Sequence, residues 1–502
     1  MKYTIIILIL SLFLLFISGC IKDNGHYDES QTPDNICIGI IYFGGFHPSH
    51  TIQTHSTLSV NSNVYESLVS LDKDFKITPC LAESWSNPNS KTWRFFIRDN
   101  VSFHDGTRLH IQDVRYSLER EFDGEYTIHI INNNTIDILT NEPNPVLLYE
   151  LINVFIIPQI FEDSTQTEPI GTGPYRYIDY VENDHVLLTR FDEYWGGRVD
   201  IKNVTFKIIP AMENRSISLL RNDIDISDLS AESLNNESAI KDINLHKINS
   251  PVVTYLSFDF RENNSVGYPN MTNPTSDVRV RKAMYHAINI SELTKDNAYY
   301  DMMPATQYVS PYTLGYNPMI KRLPYDIDES KKLLDEAGYT NGFNITFDVI
   351  DYSIDMANFI QIQLEKINIS VQIKSMPEKD FWHKLETKNT SFYGMGWLCS
   401  SDGGEIFNYI LRTVDIANGI GSFNCGYYSN KKIDEIGENL SGIIDPTERK
   451  TLIQQGLQIA VDDIACIPLY APQYFFGSRA HIEFTPRTDL MYLVKEIKIK
   501  EV

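Results

Sequence analysis

Apolar residues follow two rhythms that alternate along most of this chain. Ile345, Phe347 and Val349 are separated by single polar positions, the period of a strand with one buried face. Ile360, Leu364 and Ile367 then recur at helical spacing, and Ile369, Val371 and Ile373 return to period two. Strand, helix and strand in that order predict a β-α-β unit, and mixed α/β as the class of the chain. Other helices carry their own punctuation. Asp326-Ile327-Asp328-Glu329 is a capping-box pattern ahead of Leu333, Leu334 and Ala337, and Gly338 stands where a left-handed C-cap is expected. A helix starting near Ser276 presents Val280, Ala283, Met284, Ala287 and Ile288 on one face. Another after Pro446 presents Ile453, Leu457, Ala460, Val461 and Ile464.

The N-terminus breaks both rhythms. Lys2 precedes a run from Ile5 to Ile17 that is apolar apart from Ser11, and the run ends in Ile17-Ser18-Gly19-Cys20. It falls short of the roughly 20 residues a spanning helix needs. Small residues followed by a cysteine resemble a lipobox, so residues 1–19 are expected to be a lipoprotein signal peptide and Cys20 the lipid anchor. Polar residues through 35, with Gly25 and Pro33, are expected to tether the anchor to the folded part.

Length and charge narrow the field. At 502 residues the chain exceeds what one core organises, so two or three subdomains are expected. A formal net charge of -23, without a long basic run, argues against a nucleic-acid partner. The sequence contains no HExxH, GxxxxGK[ST] or GxSxG. Gly171-Thr172-Gly173 starts like a dinucleotide fingerprint, but Pro174 stands where a helix should open. Ser429-Asn430-Lys431-Lys432 matches SxxK without companion motifs. Asp462-Asp463 and Asp223/Asp225 read as solvated carboxylates rather than an acid–base pair. No catalytic residue and no cofactor are expected. Besides Cys20 the cysteines are Cys37, Cys80, Cys399, Cys425 and Cys466, an odd number with no CxxC. They read as small core residues, with Cys399–Cys425 the one conceivable bridge. His47, His50 and His55 form the candidate metal group. Tyr393-Gly394-Met395-Gly396-Trp397 and Cys425-Gly426-Tyr427-Tyr428 place large rings on glycine-containing segments, which suits a pocket lining.

A series of segments also resembles, in order, the peptide- and nickel-binding family of ABC-transporter solute-binding proteins. Val64-Tyr65-Glu66-Ser67-Leu68-Val69 and Pro79-Cys80-Leu81-Ala82-Glu83-Ser84-Trp85 come first. Trp93 to Arg98, Val101-Ser102-Phe103-His104-Asp105-Gly106-Thr107 and Asp113-Val114-Arg115-Tyr116-Ser117-Leu118 form the most specific match. Gly171-Thr172-Gly173-Pro174-Tyr175, Tyr194-Trp195-Gly196-Gly197, Ser276 to Ala283 and Asp335-Glu336-Ala337-Gly338-Tyr339 follow.

The resemblance implies a two-lobed, hinged type II periplasmic-binding fold with mixed sheets and a small inserted subdomain. One lobe would hold 36–62, 168–250 and 472–502, the inserted subdomain 63–167, and the second lobe 251–471. The implied function is extracytoplasmic capture of a small peptide or peptide-like solute, handed by a lipid-anchored monomer to the permease subunits of an ABC importer. A nickel chelate, held through His47, His50 and His55, or a sensory receptor on the same fold, are the alternatives. In peptide-binding relatives an acidic residue in a WxxDxxDP-like segment meets the ligand ammonium. Here Trp397 to Glu405 matches it, with Ser400 and Gly403 at the two carboxylate positions. The expected ligand contacts are Asp402 as ammonium partner, Trp397 as a wall, and Glu405, Tyr393, Tyr427 and Tyr428 around them. His104, inside the family's FhDG motif, is expected to be structural.

Overall fold

One 13-residue strand, Ile467–Arg479, belongs to two half-sheets at once. Its first half pairs antiparallel with Val253–Phe258 and Met302–Pro304, its second half with Ile226–Leu229 and Ile243–Asn249. Twelve strands are thereby linked into one hydrogen-bonded sheet, ten of them along a single path. The computed structural model describes residues 34–46, 54–159, 168–234, 240–295 and 302–500; the signal peptide, Cys20 and the tether to Pro33 lie outside them.

The two half-sheets carry separate cores, so the mixed α/β class read from the alternation takes the two-lobed form that the family resemblance implies. In the first lobe Asn35–Ile40 pairs parallel with Asn203–Ile208 and Ile226–Leu229, and Ile36, Ile38, Val204 and Phe206 are buried there. In the second lobe Phe343–Ile350 pairs parallel with Ile369–Met376, and helix Ile354–Glu365 packs on both. That is the β-α-β unit read from the alternation. Asp326 caps helix Ile327–Glu336 by accepting from the Glu329 amide at 2.9 Å, and Gly338 lies at φ +85°. Helix Val278–Ala287 buries Val280, Ala283, Met284 and Ala287 against the sheet.

The chain passes between lobes at the Asn249–Val253 connection and again within Ile467–Arg479. Fully buried Ser250 joins the two passages. Its amide donates to the Pro472 carbonyl at 2.7 Å, while its hydroxyl accepts from the Val252 amide at 3.0 Å. Beside it the Gln473 amide donates to the Asn249 side chain.

A smaller layer is inserted into the first lobe. Ala82–Asn89, Thr92–Ile97, Thr135–Leu139 and Thr127–Asn132 form a four-stranded antiparallel sheet, covered by helix Ile111–Phe122 through Ile111, Val114 and Leu118. Buried Glu66 ties this layer to the lobe. Its carboxylate accepts from the Tyr194 hydroxyl at 2.6 Å, the Trp195 indole at 2.6 Å and the Thr172 hydroxyl at 3.0 Å. Three separated sequence segments therefore meet at one side chain. Gly171 and Gly173 fit the same joint for a steric reason. A Cβ on either would lie 2.0 Å from the Val64 carbonyl oxygen or 2.5 Å from that of Asn63.

His104 is structural, as expected. The Gly171 amide donates to Nδ1 at 3.3 Å, so Nε2 carries the proton and donates to the Gly173 carbonyl at 2.9 Å. Burial pushes the imidazole down to about 4, against an opposing pull from the Gly173 carbonyl.

Two predictions follow from this joint. Glu66→Ala leaves three buried donors without an acceptor, at about 1–3 kcal/mol each before relaxation. We expect a loss of about 3 kcal/mol or more in urea unfolding; a loss below 1 kcal/mol would refute the hub. For His104 the folded-state value lies below the ordinary 6.5. Its contribution is therefore complete above pH 6.5 and is lost as pH falls from 6.5 through about 4, with a slope of at most about 1.4 kcal/mol per pH unit. His104→Gln should remove that part of the slope in denaturant titrations between pH 7 and 4. An unchanged slope would contradict a neutral, buried imidazole.

Candidate ligand cleft

The strand directions choose where a ligand can sit. Phe343–Ile350, Ile369–Met376 and Phe392–Trp397 run parallel, and all three end at the edge where Val253–Phe258 begins, with Val253 opposite Trp397. In the first lobe Asn35–Ile40, Asn203–Ile208 and Ile226–Leu229 end toward the same crossing, since Leu229 pairs with Phe475. Carboxyl ends of both half-sheets thus converge on the inter-lobe passage, the position where open α/β sheets bind ligands.

Rings gather at these ends. Trp397, the last residue of its strand, contacts Phe423 with centroids 5.1 Å apart and Tyr409 at 5.8 Å, and Phe423 meets Trp382 at 6.1 Å. The Trp382 indole donates to Glu378 at 3.2 Å. Tyr352 follows the end of Phe343–Ile350 and is 73% exposed. The Trp397 Nε1 is buried at the edge of the sheet, beside the Cys399 thiol. In the first lobe, just past Asn35–Ile40, Phe43 packs on Phe46 at 4.8 Å and on Tyr180 at 5.2 Å.

The predicted contacts separate into two groups. Trp397 and Glu405 belong to the edge beside the crossing. Glu405 is half-buried, and its Oε2 accepts from the Ser400 amide at 2.9 Å, the Ser400 hydroxyl at 2.8 Å and the Ser401 amide at 3.2 Å. Among the described residues every hydrogen bond to this carboxylate ends on Oε2, which leaves Oε1 without one. Burial raises its carboxyl above the ordinary range, although the serine bonds oppose this. A cation brought to Oε1 would restore the charge that burial disfavours.

Asp402 is differently employed, and here the expectation needs correction. It is 1% exposed and forms a two-pronged ion pair with the buried Arg449 guanidinium, Nη2 to Oδ1 at 3.0 Å, while Oδ1 also accepts from the Gly404 amide at 2.8 Å. Both oxygens are spent inside the protein, so Asp402 is no open partner for a ligand ammonium. The pair instead holds the Trp397–Glu405 loop against helix Pro446–Asp462. The inserted layer reaches the same place. Ile444 packs on its core, and at Tyr149 burial, followed by the Asp402 charge, pushes the phenol up to about 12.

Tyr393, Tyr427 and Tyr428 are also corrected. Tyr393 pairs with Ser257, four residues from Trp397 along the strand, which is about 14 Å at roughly 3.4 Å per residue. It is 2% exposed and lies in the core. Tyr428 is buried, and its hydroxyl donates to Asp463 at 2.7 Å. Tyr427 lies beneath the Arg261 guanidinium, 4.4 Å from the ring centre. Both adjoin Phe258–Arg261, because the Phe260 amide donates to the Gly426 carbonyl at 2.8 Å, and that is the strand end remote from the crossing. Glycine-flanked rings gave no indication of which strand end they occupy.

His47 and His50 lie outside the described residues. His55 opens helix His55–Val64, and burial lowers its imidazole below the ordinary value, with Asp228 opposing. Among the described residues no group of three His, Cys, Asp or Glu is placed to hold a metal. Cys399 and Cys425 are separate free thiols buried in one core. Asn430 of the SxxK match caps helix Lys431–Leu440. Sequence reading missed Arg449, Trp382, Tyr409, Phe423 and Tyr352; only the Phe343–Ile350 strand end gave a usable signal, for Tyr352.

Comparison with known proteins gives a consistent set. The family model for bacterial extracellular solute-binding proteins, family 5, matches residues 76–418. The nickel-binding protein NikA of Staphylococcus aureus is 24% identical over 477 residues, 90% of each chain. The dipeptide-binding protein of Escherichia coli is 24% identical over 78% of this chain and 80% of its own. The structure of HbpA2 from Haemophilus parasuis superposes with a TM-score of 0.83 at 21% identity, covering 93% of this chain and all of that one.

The ion pair makes a prediction. Asp402→Ala leaves the Arg449 charge buried without its partner, a change that costs about 3–5 kcal/mol. Urea unfolding should show that loss, and the double variant Asp402→Ala/Arg449→Met should recover much of it. Equal stability of Asp402→Ala and the parent would return Asp402 to the ligand.

Proposed function

The chain belongs to family 5 of the bacterial extracellular solute-binding proteins, and we propose that it captures a peptide or peptide-like solute between its two lobes for an ABC importer. It is a binding protein, not an enzyme. The observation that supports the peptide reading best is the pairing, on one loop beside the crossing, of Trp397 and its ring cluster with the half-used carboxylate of Glu405. Rings bury variable apolar groups with little demand on their shape, and a carboxylate oxygen raised by burial attracts an ammonium. The similarity to a dipeptide-binding protein supports the same solute class.

In this reading, 36–62, 168–250 and 472–502 move as one body against 251–471, with 63–167 carried on the first. Only the closed form brings both ring sets to the ligand, so binding shifts the population toward closure. The permease would then recognise the closed shape. Cys20 would hold the protein to the outer face of the membrane through diacylglycerol, acting as a monomer.

A second reading rests on the similarity to NikA across 90% of both chains. A nickel chelate would then be held through His55 with His47 and His50, since Ni²⁺ favours imidazole nitrogen. The readings separate by thermal melting of the full chain in detergent with di- to hexapeptides, amino acids, or Ni²⁺ with and without histidine. A ligand of the folded state at a hundredfold excess over Kd adds about 2.7 kcal/mol, a visible rise in Tm. We expect the rise with peptides, and we expect Glu405→Gln to weaken it about tenfold or more in Kd while leaving the unliganded Tm near the parent value. A rise only with Ni²⁺ plus histidine would replace the peptide reading by the nickel one.

A further inference from the structure

A small cavity of about 50 Å³ lies beside the inter-lobe passage, bounded by Val253, Met303, Thr306, Val309, Tyr316 and Ala471. Two of these residues belong to the passage itself. Val253 is the first residue of its strand after the Asn249–Val253 connection, and Ala471 lies in the strand common to both lobes, opposite Met303. The space exceeds what one water needs, about 10–15 Å³ by the same kind of measure. A branched aliphatic group of three or four carbons is of that order of size, and an indole is well above it.

Its position relates it to the ring cluster. Val253 and Trp397 are direct cross-strand partners, so their side chains lie on one sheet face with Cβ atoms about 4.5–5.5 Å apart. The loop that carries Glu405 packs on Val309, one wall of the cavity. The Gly403 amide donates to the Leu314 carbonyl at 2.8 Å, and a Cβ on Gly403 would stand 3.6 Å from Val309 Cγ1. Glu405 follows two residues later, with its amide donating to the Asp402 carbonyl at 3.1 Å. One loop thus packs on a wall of the recess and carries a carboxylate whose Oε1 takes no hydrogen bond from the described residues.

We propose that this recess is a side-chain subsite which selects a solute bearing a small branched aliphatic group next to its ammonium, as in a peptide beginning with Val, Leu or Ile. The proposal rests on the peptide reading given above and adds a size rule to it. The walls explain the rule. Val253, Val309 and Ala471 are buried and belong to the sheet or pack tightly against it, so they do not yield to a larger group. Met303, Thr306 and Tyr316 are only partly covered and form the adjustable side. Burying a branched aliphatic group here would tighten binding by about tenfold or more relative to leaving it in water, whereas glycine would gain nothing.

The test uses tripeptides X-Ala-Ala with X as Gly, Val, Leu, Trp or Glu, titrated calorimetrically into the full chain. We expect Val and Leu to bind at least tenfold tighter than Gly, Trp and Glu. Thr306→Phe fills the recess from its partly exposed side and should abolish the preference for Val and Leu over Gly. Tyr316→Ala enlarges it and should raise Trp-Ala-Ala toward the Val value. The opposite signs of these two variants cannot come from a general loss of fold. Peptides that bind equally whatever X is, with both variants unchanged, would overturn the subsite and leave the peptide reading standing. Binding of no peptide at all, together with binding of Ni²⁺ plus histidine, would overturn both.

Discussion

Two lobes sharing a strand cannot move independently, and much of this architecture follows from that constraint. Ile467–Arg479 donates and accepts along its whole length, first to one half-sheet and then to the other. Its peptide groups are paired on either side of the crossing, so bending is confined to the short stretch where partners change. Ser250 and Gln473 sit there and supply the bonds that the sheet ladder does not. The parallel strands of both lobes point their carboxyl ends at this line. A ligand bound there therefore touches the elements that would move.

Polar groups in the interior divide by whether their bonding capacity is exhausted. Glu66 is filled by three donors and Asp402 by Arg449 and Gly404, so each binds separate segments of chain together. Such groups are costly to break and have nothing left for a solute. Glu405 is the opposite case, because its hydrogen bonds to described residues end on Oε2, and it lies on the loop beside the crossing. The Asp402–Arg449 pair is what makes that arrangement durable. It anchors the loop to helix Pro446–Asp462 and leaves Glu405 as the acidic group with an open oxygen.

Local order was legible wherever a neighbour a few residues away decides the outcome. The alternation at 345–349 and 369–373, the Asp326 cap and the left-handed Gly338 depend on contacts inside one element. His104 was legible as structural for another reason, since its motif is a turn packed on Gly171 and Gly173. The proposed ligand contacts were legible only in part. Trp397 and Glu405 lie beside the crossing, whereas Tyr393, Tyr427 and Tyr428 share the aromatic character of that loop and lie toward the remote end of the strand.

By itself the sequence determined the α/β class, the order of the elements, their caps and the family motifs, because each is set by spacing along the chain. Only the tertiary structure decided that Asp402 belongs to Arg449, 47 residues away, and Glu66 to Tyr194, 128 residues away. It also decided that the rings of Trp382, Trp397, Tyr409 and Phe423 form one cluster. The physical reason is that a carboxylate or a ring has the same local preferences whether it is spent or free. What distinguishes the two states is which partner the folded chain brings within about 3 Å.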